Sequence, residues 1–267
     1  MREEIAIKAE NICKDFLVGE NKVRIIKNVS FEIKTGEFVM IHGPSGCGKS
    51  TLLNIINGWE PPTEGKVFIF NEDLFQKSED ERAKLRHHLM AMMHQTPFWV
   101  SAFNVIENIS VPHLLAGKTK KEAFWRANIL LNFLGLSKYA HYSPLNLSIG
   151  QQQRVSLLRA LINNPKILLA DEPTGNLDTA ASKLLMSLFK ILNEQLKKTI
   201  IMVTHNLELL DYASKIISMR DGQIIKITTK EIKTLPKEIF FTDDLFHPEF
   251  LARIQKSGLM QGLGNLK

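Results

Sequence analysis

Apolar and polar residues alternate near the start of the chain, and this pattern predicts β-strands. The segment Ile5–Ala9 alternates from one residue to the next, and Ser30–Ile33 repeats the pattern. Phe38–Ile41 follows as an unbroken apolar run. We therefore expect residues 5–42 to form an antiparallel β region.

Helical patterns and short strands share the next part of the chain. Lys49–Ile56 has a helical pattern that ends at the stop signal Asn57-Gly58. Lys66–Phe70 predicts another strand, and Met90–Met93 predicts a strand that leads into Gln95.

A change of periodicity after residue 97 indicates an all-helical insert. Apolar residues recur at helical spacing from Val105 to Phe133, with few strand signals. Gly150–Asn163 then predicts a long helix, which ends before Pro165. We place this helical subdomain at about residues 97–160.

Strands and helices alternate from residue 167 to residue 219, which is typical of a mainly parallel sheet with crossover helices. Asp221-Gly222 then marks a hairpin turn. The chain is thus predicted to be an α/β protein. The expected strands are 167–170, 199–204 and 215–219, and the expected helices are 179–196 and 207–213.

The last part of the chain has a different composition. Lys237–Phe246 mixes aromatic and acidic residues, Pro248 can open a short helix, and the end is rich in glycine. The segment is either a small packing appendage or a docking segment for a partner. We therefore divide the chain into a main domain, residues 1–227, and a C-terminal extension, residues 228–267.

Composition limits the classes of protein to which the chain can belong. No apolar run approaches the ~20 residues that span a bilayer, and the start lacks the hydrophobic stretch of a secretory signal. Cys13 and Cys47 show no metal-ligand spacing and are interpreted as reduced thiols. The net charge of +6 fits a surface near nucleotide and anionic lipid headgroups. Nucleic-acid binding is the alternative, but no basic-aromatic stripe supports it.

One segment carries a specific nucleotide-binding pattern. Residues Gly43–Ser50 fit the phosphate-loop pattern GxxxxGK[ST], between a predicted strand and a predicted helix. Glycines allow backbone N–H groups to converge on phosphate oxygens, and the helix adds its positive end. Lys49 is expected to reach the β- and γ-phosphates, and the Ser50 hydroxyl to bind Mg²⁺. The candidate ATP ligands of this loop are Gly43, Pro44, Ser45, Gly46, Cys47, Gly48, Lys49, Ser50 and Thr51.

A second segment, which is acidic, carries the groups expected to act in hydrolysis. Asp171-Glu172 ends the apolar stretch Ile167–Ala170. Asp171 would hold Mg²⁺, and Glu172 would polarise the attacking water. The alternative is a charged strand end that leads into a turn.

Leu147-Ser-Ile-Gly-Gln151, followed by Gln-Gln-Arg154, resembles the LSGGQ signature of ATP-binding cassette (ABC) proteins. The resemblance covers about residues 5–226. It implies a P-loop NTPase of ABC type, with a mainly parallel sheet core, an antiparallel β subdomain and an all-helical subdomain. It also implies that the signature grips ATP held by another subunit, through Ser148, Gly150 and Gln151. Ile149 stands where the consensus has glycine. A backbone contact that requires glycine flexibility is therefore not expected there.

The resemblance assigns further roles, residue by residue. Gln95 matches the Q-loop, which meets Mg²⁺ and the water, and His205 matches the switch histidine that contacts the γ-phosphate. Phe16 lies where the family places an aromatic ring that stacks on adenine; a core phenylalanine is the alternative. Asp178 ends the D-loop, and together with Leu147 and Ile149 it is expected at a dimer interface.

The segments Ala170–Asp178 and Gly43–Gly46 are most similar to those of the lipoprotein-release and macrolide-export ATPases, with the cell-division ATPase as a close relative. The resemblance implies an ATPase that uses ATP and Mg²⁺ and works as a homodimer, or as a heterodimer with a similar ATPase. It implies a separate transmembrane permease subunit, with this chain cytoplasmic and peripheral on the inner face of the membrane. Phe98, Trp99 and Phe103 are candidate anchors for that partner, or core of the helical region.

Two other functions remain open from the sequence. One is control of a cell-envelope process through a membrane partner without transport. The other is a soluble ABC ATPase acting on nucleic acid, which usually carries two cassettes or a long coiled-coil insertion; neither is present in this sequence.

Overall fold

The computed structural model describes residues 4–230 and 244–247. In chain order its strands are β1 (Ile5–Val18), β2 (Asn21–Lys34), β3 (Phe38–His42), β4 (Glu64–Ile69), β5 (Glu72–Asp73), β6 (Met90–Met93), β7 (Ile167–Asp171), β8 (Thr199–Thr204), β9 (Lys215–Arg220) and β10 (Gln223–Thr229). The α-helices are α1 (Lys49–Ile56), α2 (Glu79–Leu89), α3 (Val105–Leu115), α4 (Lys120–Phe133), α5 (Ile149–Leu161) and α6 (Thr179–Leu196). Short 3₁₀ helices cover Leu74–Gln76, Ser137–Tyr139, Pro144–Asn146 and Leu207–Tyr212.

The first sheet is antiparallel, with strand order β2-β1-β4-β5. The pairing of β1 with β4 ends at Cys13 and Glu64. The pairing of β1 with β2 continues to Val18 and Asn21. The end of the β1–β2 hairpin therefore extends beyond the sheet as a two-stranded ribbon.

The second sheet has strand order β10-β9-β3-β8-β7-β6, and only β10 runs antiparallel to its neighbour. The prediction of an antiparallel region over residues 5–42 is wrong for β3, which pairs in parallel with β8 and β9. The physical reason lies in its composition. Phe38–Ile41 is buried throughout, and a strand covered on both faces belongs in the middle of a parallel sheet.

The two faces of this parallel sheet bury two separate cores. Val39 and Ile41 of β3 face a cluster that includes α1 and the antiparallel sheet. Phe38 and Met40 face the opposite cluster, which includes α6 and the helices of the predicted insert. Because successive side chains on a strand point to opposite faces, one short strand connects both cores.

Helices fill the region for which the periodicity predicted them. Helix α3 packs against α4 and α5, and α5 also contacts β6 and α6. The predicted helix 207–213 is instead the 3₁₀ helix Leu207–Tyr212, which is the tight geometry that short helical pieces adopt. Within the described ranges, no helix has the length and apolar character needed to cross a membrane.

A short piece of the C-terminal extension returns to the main body. Leu245 is fully buried and Phe246 nearly so, both in the same core as α6. The Leu245 backbone N–H donates to Asn164 Oδ1 at 3.3 Å, and the Arg126 guanidinium lies 4.4 Å from the centre of the Phe246 ring. These contacts favour the packing interpretation for this piece. The other predictions for residues 231–243 and 248–267 lie outside the described residues.

Candidate nucleotide site

The phosphate loop connects β3 to α1 through a backbone that only glycine can follow at two places. Gly48 has φ 98° and adjoins Ile26 of β2, so a Cβ there would lie 2.7 Å from the Ile26 side chain. A Cβ on Gly43 would lie 2.1 Å from the Met219 carbonyl oxygen. These close approaches explain why the loop needs glycine even before phosphate is considered.

Lys49 begins α1 and is buried, although it carries a charge. Its ammonium donates to the carbonyl oxygens of Gly43, at 3.0 Å, and Pro44, at 2.9 Å. Both acceptors belong to the phosphate loop. The charge is therefore held inside the curve of the loop, where an anionic phosphate would be favoured.

The order of the parallel strands brings four of the predicted ATP-handling segments to one edge of the sheet. Strands β3, β8, β7 and β6 are adjacent in that order. Their carboxyl ends lead into the phosphate loop, His205, Asp171-Glu172 and Gln95, respectively. Ligands of open α/β sheets bind at this edge. Segments as far apart in sequence as Gly43 and His205 thus become neighbours.

Ser50 and Asp171 are in direct contact across this edge, since Ser50 Oγ donates to Asp171 Oδ1 at 3.0 Å. Burial raises the pKa of Asp171, the Ser50 hydrogen bond opposes that rise, and the charge of Glu172 adds to it. A cation beside Asp171 would offset the cost of burying this carboxylate. Hydroxyl and carboxylate oxygens are ligands that Mg²⁺ prefers, so the pair fits the predicted ion.

Glu172 and His205 form a second pair. Their Oε2 and Nδ1 atoms are 2.9 Å apart. The backbone of Glu172 has φ 46°, a left-handed conformation that residues other than glycine rarely adopt. Its N–H donates to Val203 O of the neighbouring strand, and its carbonyl accepts from Gly175 N–H. The carboxylate is therefore aimed by a strained turn that two hydrogen bonds hold in place.

Gln95 connects this edge to the helices. Its carbonyl oxygen accepts a short hydrogen bond from the Gln153 amide on α5. Its side chain packs on Gly175, where an added Cβ would lie 2.8 Å from Gln95 Nε2. Within the described residues no hydrogen bond joins Gln95 to Ser50 or Asp171. Its predicted role at the ion and the water therefore stays a prediction.

The signature segment forms the start of α5. Ser148 Oγ accepts from Gln151 N–H at 3.3 Å, and Gln151 Oε1 accepts from Ser148 N–H at 3.0 Å, which is a capping box. Gln151 Nε2 also donates to the Tyr139 hydroxyl. Gly150 is close to α6, since a Cβ there would lie 3.2 Å from Ala181 Cβ. Ser148 is exposed, so this turn is rigid and open to contact.

The two residues near the signature that are predicted at the dimer interface differ in exposure. Ile149 lies in the first helical turn without a positive φ, so the conformation here does not require glycine. Its side chain is 57% exposed. Leu147 differs from the expectation, because its side chain is 5% exposed and belongs to the chain's own core. Its side chain is thus not available to a second protomer.

Asp178 has a structural task of its own. Its Oδ1 accepts from Ala181 N–H at 2.7 Å and caps α6. An open cleft of about 550 Å³ separates this helix start from the signature turn. Among the described residues, no hydrogen bond joins Ser148–Gln151 to the chain's own phosphate loop.

Phe16 lies near the end of the β1–β2 hairpin and is half-buried. The Lys14 ammonium is 5.0 Å from the centre of its ring. Lys14 in turn is paired with Glu60 and donates to the carbonyl oxygen of Pro61. Part of the ring therefore remains exposed, and its role in stacking on adenine stays a prediction.

An apolar groove lies beside Gln95, with a volume of about 430 Å³. Sequence analysis anticipated Phe98, which is 71% exposed, but missed Trp59 and His94. The Trp59 and His94 rings stack with centroids 5.3 Å apart, and Phe98 meets His94 edge-on at 5.5 Å. Leu115 of α3 lines the same groove. The only sequence signal for Trp59 is its position directly after the stop of α1.

The three predicted anchors divide between surface and core. Phe98 lines the groove, and Phe103 is 39% exposed. Trp99 instead packs on the helical core, where its Nε1 donates to Gln152 Oε1 at 3.0 Å. The guanidinium of Arg159 lies 4.7 Å from the Trp99 ring centre. For Trp99 the core interpretation is therefore correct.

Known proteins resemble this chain in both sequence and fold. Residues 26–175 match the family model described as ABC transporter. The chain is 42% identical to the lipoprotein-releasing system ATP-binding protein LolD 1 of Chlorobium chlorochromatii, over 82% of this chain and 89% of that protein. It is also 42% identical to the macrolide export ATP-binding/permease protein MacB of Campylobacter jejuni, over 86% of this chain and 36% of MacB. A solved dimer of the ATP-binding cassette MJ0796, from Methanocaldococcus jannaschii, with ADP and Pi bound, has a TM-score of 0.79 and 38% identity, covering 84% of this chain and 98% of that one.

Proposed function

This chain belongs to the ABC transporter family of ATP-binding proteins, and we propose that it hydrolyses ATP as one subunit of a dimer that drives a separate membrane protein. The strand order β3, β8, β7 and β6 supports this proposal most directly. It collects the phosphate loop, a switch histidine, an acidic pair and a glutamine at one sheet edge, which is the set of groups that ATP hydrolysis needs.

One chain supplies the groups that hold ATP and activate water. Residues 43–51 bind the phosphates through backbone N–H groups and Lys49, and Phe16 stacks on adenine. Mg²⁺ would be held by Ser50, Asp171 and Gln95, and would neutralise charge on the phosphates. Glu172 accepts a proton from the attacking water, while His205 orients Glu172 and contacts the γ-phosphate.

A second copy, or a similar ATPase, supplies the rest of the site. Ser148, Gly150 and Gln151 of the partner reach the γ-phosphate, with backbone N–H groups at the start of α5. Head-to-tail association encloses two ATP molecules between the two chains. ATP binds the closed dimer better than the open one and shifts that equilibrium, and hydrolysis reverses the shift.

The membrane partner is expected to insert into the groove of Trp59, His94, Phe98 and Leu115. This groove adjoins Gln95, so an inserted segment would feel changes at the nucleotide site. Exposed aromatic side chains around an apolar groove suit a helical partner segment. MacB is named an ATP-binding/permease protein, and this chain covers 36% of its length. We propose that this chain lies at the cytoplasmic face of the membrane through such a partner.

We also propose that residues 1–227 form the nucleotide-binding domain, with the helical part at about 97–160 inserted in it. The mutual packing of α3, α4 and α5 supports the helical part of this division, and α5 begins with the signature. Strand β10 continues to Thr229, two residues past the proposed boundary. Rigid displacement of that group would move Ser148 relative to a phosphate loop on the partner.

The proposal is tested by replacing the residue that activates water. Glu172→Gln should keep ATP affinity but slow hydrolysis by ~10²-fold or more, because the general base is lost. The variant should accumulate an ATP-dependent dimer, measured by sedimentation at several protein concentrations. The matched control is Glu208→Gln, which alters an exposed carboxylate that follows the neighbouring strand β8. Unchanged turnover, or a variant that stays monomeric with ATP, would contradict the proposal.

A further inference from the structure

The two faces of the projecting β1–β2 hairpin differ in chemistry. One face carries an ionic network in which Asp15 contacts Arg24 at 2.7 Å and Lys22 at 2.8 Å. Arg24 also contacts Glu64 at 2.6 Å on the neighbouring strand. This network fixes the ribbon to the sheet, so the hairpin presents its other face in a defined direction.

That other face is mainly apolar, with Asn21 opposite Val18 and the Lys14 ammonium 5.0 Å from the centre of the Phe16 ring as its polar neighbours. Phe16 pairs with Val23 across the ribbon, and Val18 follows Phe16 on the same face, because side chains alternate along a strand. Val18 is 62% exposed and Val23 is also exposed. Leu17 is more exposed than either, but it points to the ionic face, opposite Lys22. The apolar surface thus continues from the Phe16 ring to Val18 and Val23, beyond the area that one adenine would cover.

An exposed apolar side chain also stands beside the signature serine. Ile149 follows Ser148 directly and lies in the first turn of α5. Leu145, in the preceding 3₁₀ helix, is exposed as well. No described part of the chain covers either side chain. Ile149 is also the one residue of the signature that departs from glycine, so its side chain adds surface that the consensus lacks.

We infer that Ile149 of one protomer packs on the apolar hairpin face of a second copy, at Val18 and Val23 beside Phe16. This inference rests on the proposed function. In that arrangement Ser148 reaches the ATP on the partner's phosphate loop, and the hairpin belongs to that same half-site, since Ile25 and Ile26 of β2 pack against Gly48. Both apolar surfaces therefore flank one nucleotide from opposite sides. Two-fold symmetry makes the contact twice in each dimer.

The contact would add dimer stability that depends on ATP. Removing apolar surface from water on both partners favours association. Phe16 would contact the base on one side, while Val18 and Val23 continue the surface towards Ile149. A dimer without nucleotide lacks the stacked base that completes this surface.

The experiment uses the full chain carrying Glu172→Gln, with ATP at saturating concentration for each variant. Val18→Glu should raise the dimer dissociation constant ~10-fold or more, because it places a charge in an apolar contact. Leu17→Glu, the adjacent and more exposed position on the opposite face, is the matched control and should change it less than about twofold. Sedimentation gives the constants, and thermal unfolding checks that each variant is folded.

A charge exchange tests which residues meet. Ile149→Lys alone should also weaken the dimer, and Val18→Glu combined with Ile149→Lys should recover most of the loss, since opposite charges then face each other. Equal effects of Val18→Glu and Leu17→Glu, or no recovery in the double variant, would overturn the inference. If the Glu172→Gln parent itself does not dimerise with ATP, the proposed function fails instead.

Discussion

The phosphate-loop half of the site and the signature half differ in how their polar groups are satisfied. In the first half, side chains from separate segments at the sheet edge bind one another: Ser50 contacts Asp171, and Glu172 contacts His205. In the second half, Ser148 is bound only within its own helical turn, to Gln151. One half is assembled by the sheet, and the other is a prefolded turn at the surface.

This difference teaches which half can act alone. The phosphate loop, with its buried Lys49, is a nucleotide-binding site within a single chain. The signature turn has the N–H groups for gripping phosphate but faces solvent and the cleft beside Asp178. Binding should therefore depend on the first half, and hydrolysis on both.

The largest effect is expected for a change in the signature half. Ser148→Arg should lower hydrolysis about 10²–10³-fold by removing a transition-state contact, while nucleotide affinity of the monomer stays within about threefold. Ser148→Asp keeps an N-cap oxygen for α5 but repels phosphate, so it should lose hydrolysis without the stability cost. Ser137→Arg, an exposed serine of the same region, is the control. Loss of monomer binding would show that the signature serves its own chain.

An intermediate effect is expected for the phosphate-loop half. Lys49→Ala should weaken ATP binding ~30–100-fold, because a charge-assisted hydrogen bond to phosphate is lost. Hydrolysis should fall together with affinity, whereas Ser148→Arg is expected to lower hydrolysis alone. Lys66→Ala removes an exposed lysine of β4 and should leave affinity unchanged. Binding of a fluorescent ATP analogue to the monomer measures both variants, and equal affinities would contradict the assignment.

The smallest effect is expected at the adenine end. Phe16→Ala should weaken nucleotide binding about tenfold, since stacking on one base contributes ~1–3 kcal/mol. Phe16→Tyr should retain affinity, because a flat ring is sufficient. GTP should bind nearly as well as ATP if stacking alone recognises the base. Titration calorimetry on the three proteins distinguishes stacking from a purely structural phenylalanine, for which Phe16→Ala would lower only the unfolding temperature.

Much of this architecture follows from local patterns in the sequence. Helix α1 and strands β6 to β9 have nearly the bounds that periodicity predicted, and the hairpin turn is at Asp221-Gly222, both of whose φ angles are positive. The roles of the acidic pair and the phosphate loop could be predicted because both follow an apolar strand pattern. Helix α2 was missed, although its Ser78–Glu81 capping box is visible in the sequence.

Other features depend on contacts that no local pattern encodes. The partners of β3 are decided by β8 and β9, far along the chain, so its parallel pairing could not be deduced from residues 38–42. The same is true of the Trp59–His94 stack, which joins the ends of α1 and β6. The burial of Leu147 depends on how α5 docks, whereas the motif identifies only its neighbour Ser148.

The burial of Leu245 and Phe246 limits how far this protein can be truncated from its C-terminus. A fragment ending near residue 230 would retain every motif yet uncover the part of the core against which Leu245 and Phe246 pack, next to Trp125. Such uncovered apolar surface promotes aggregation. The smallest unit that behaves well in solution is therefore longer than the smallest unit that carries the chemistry.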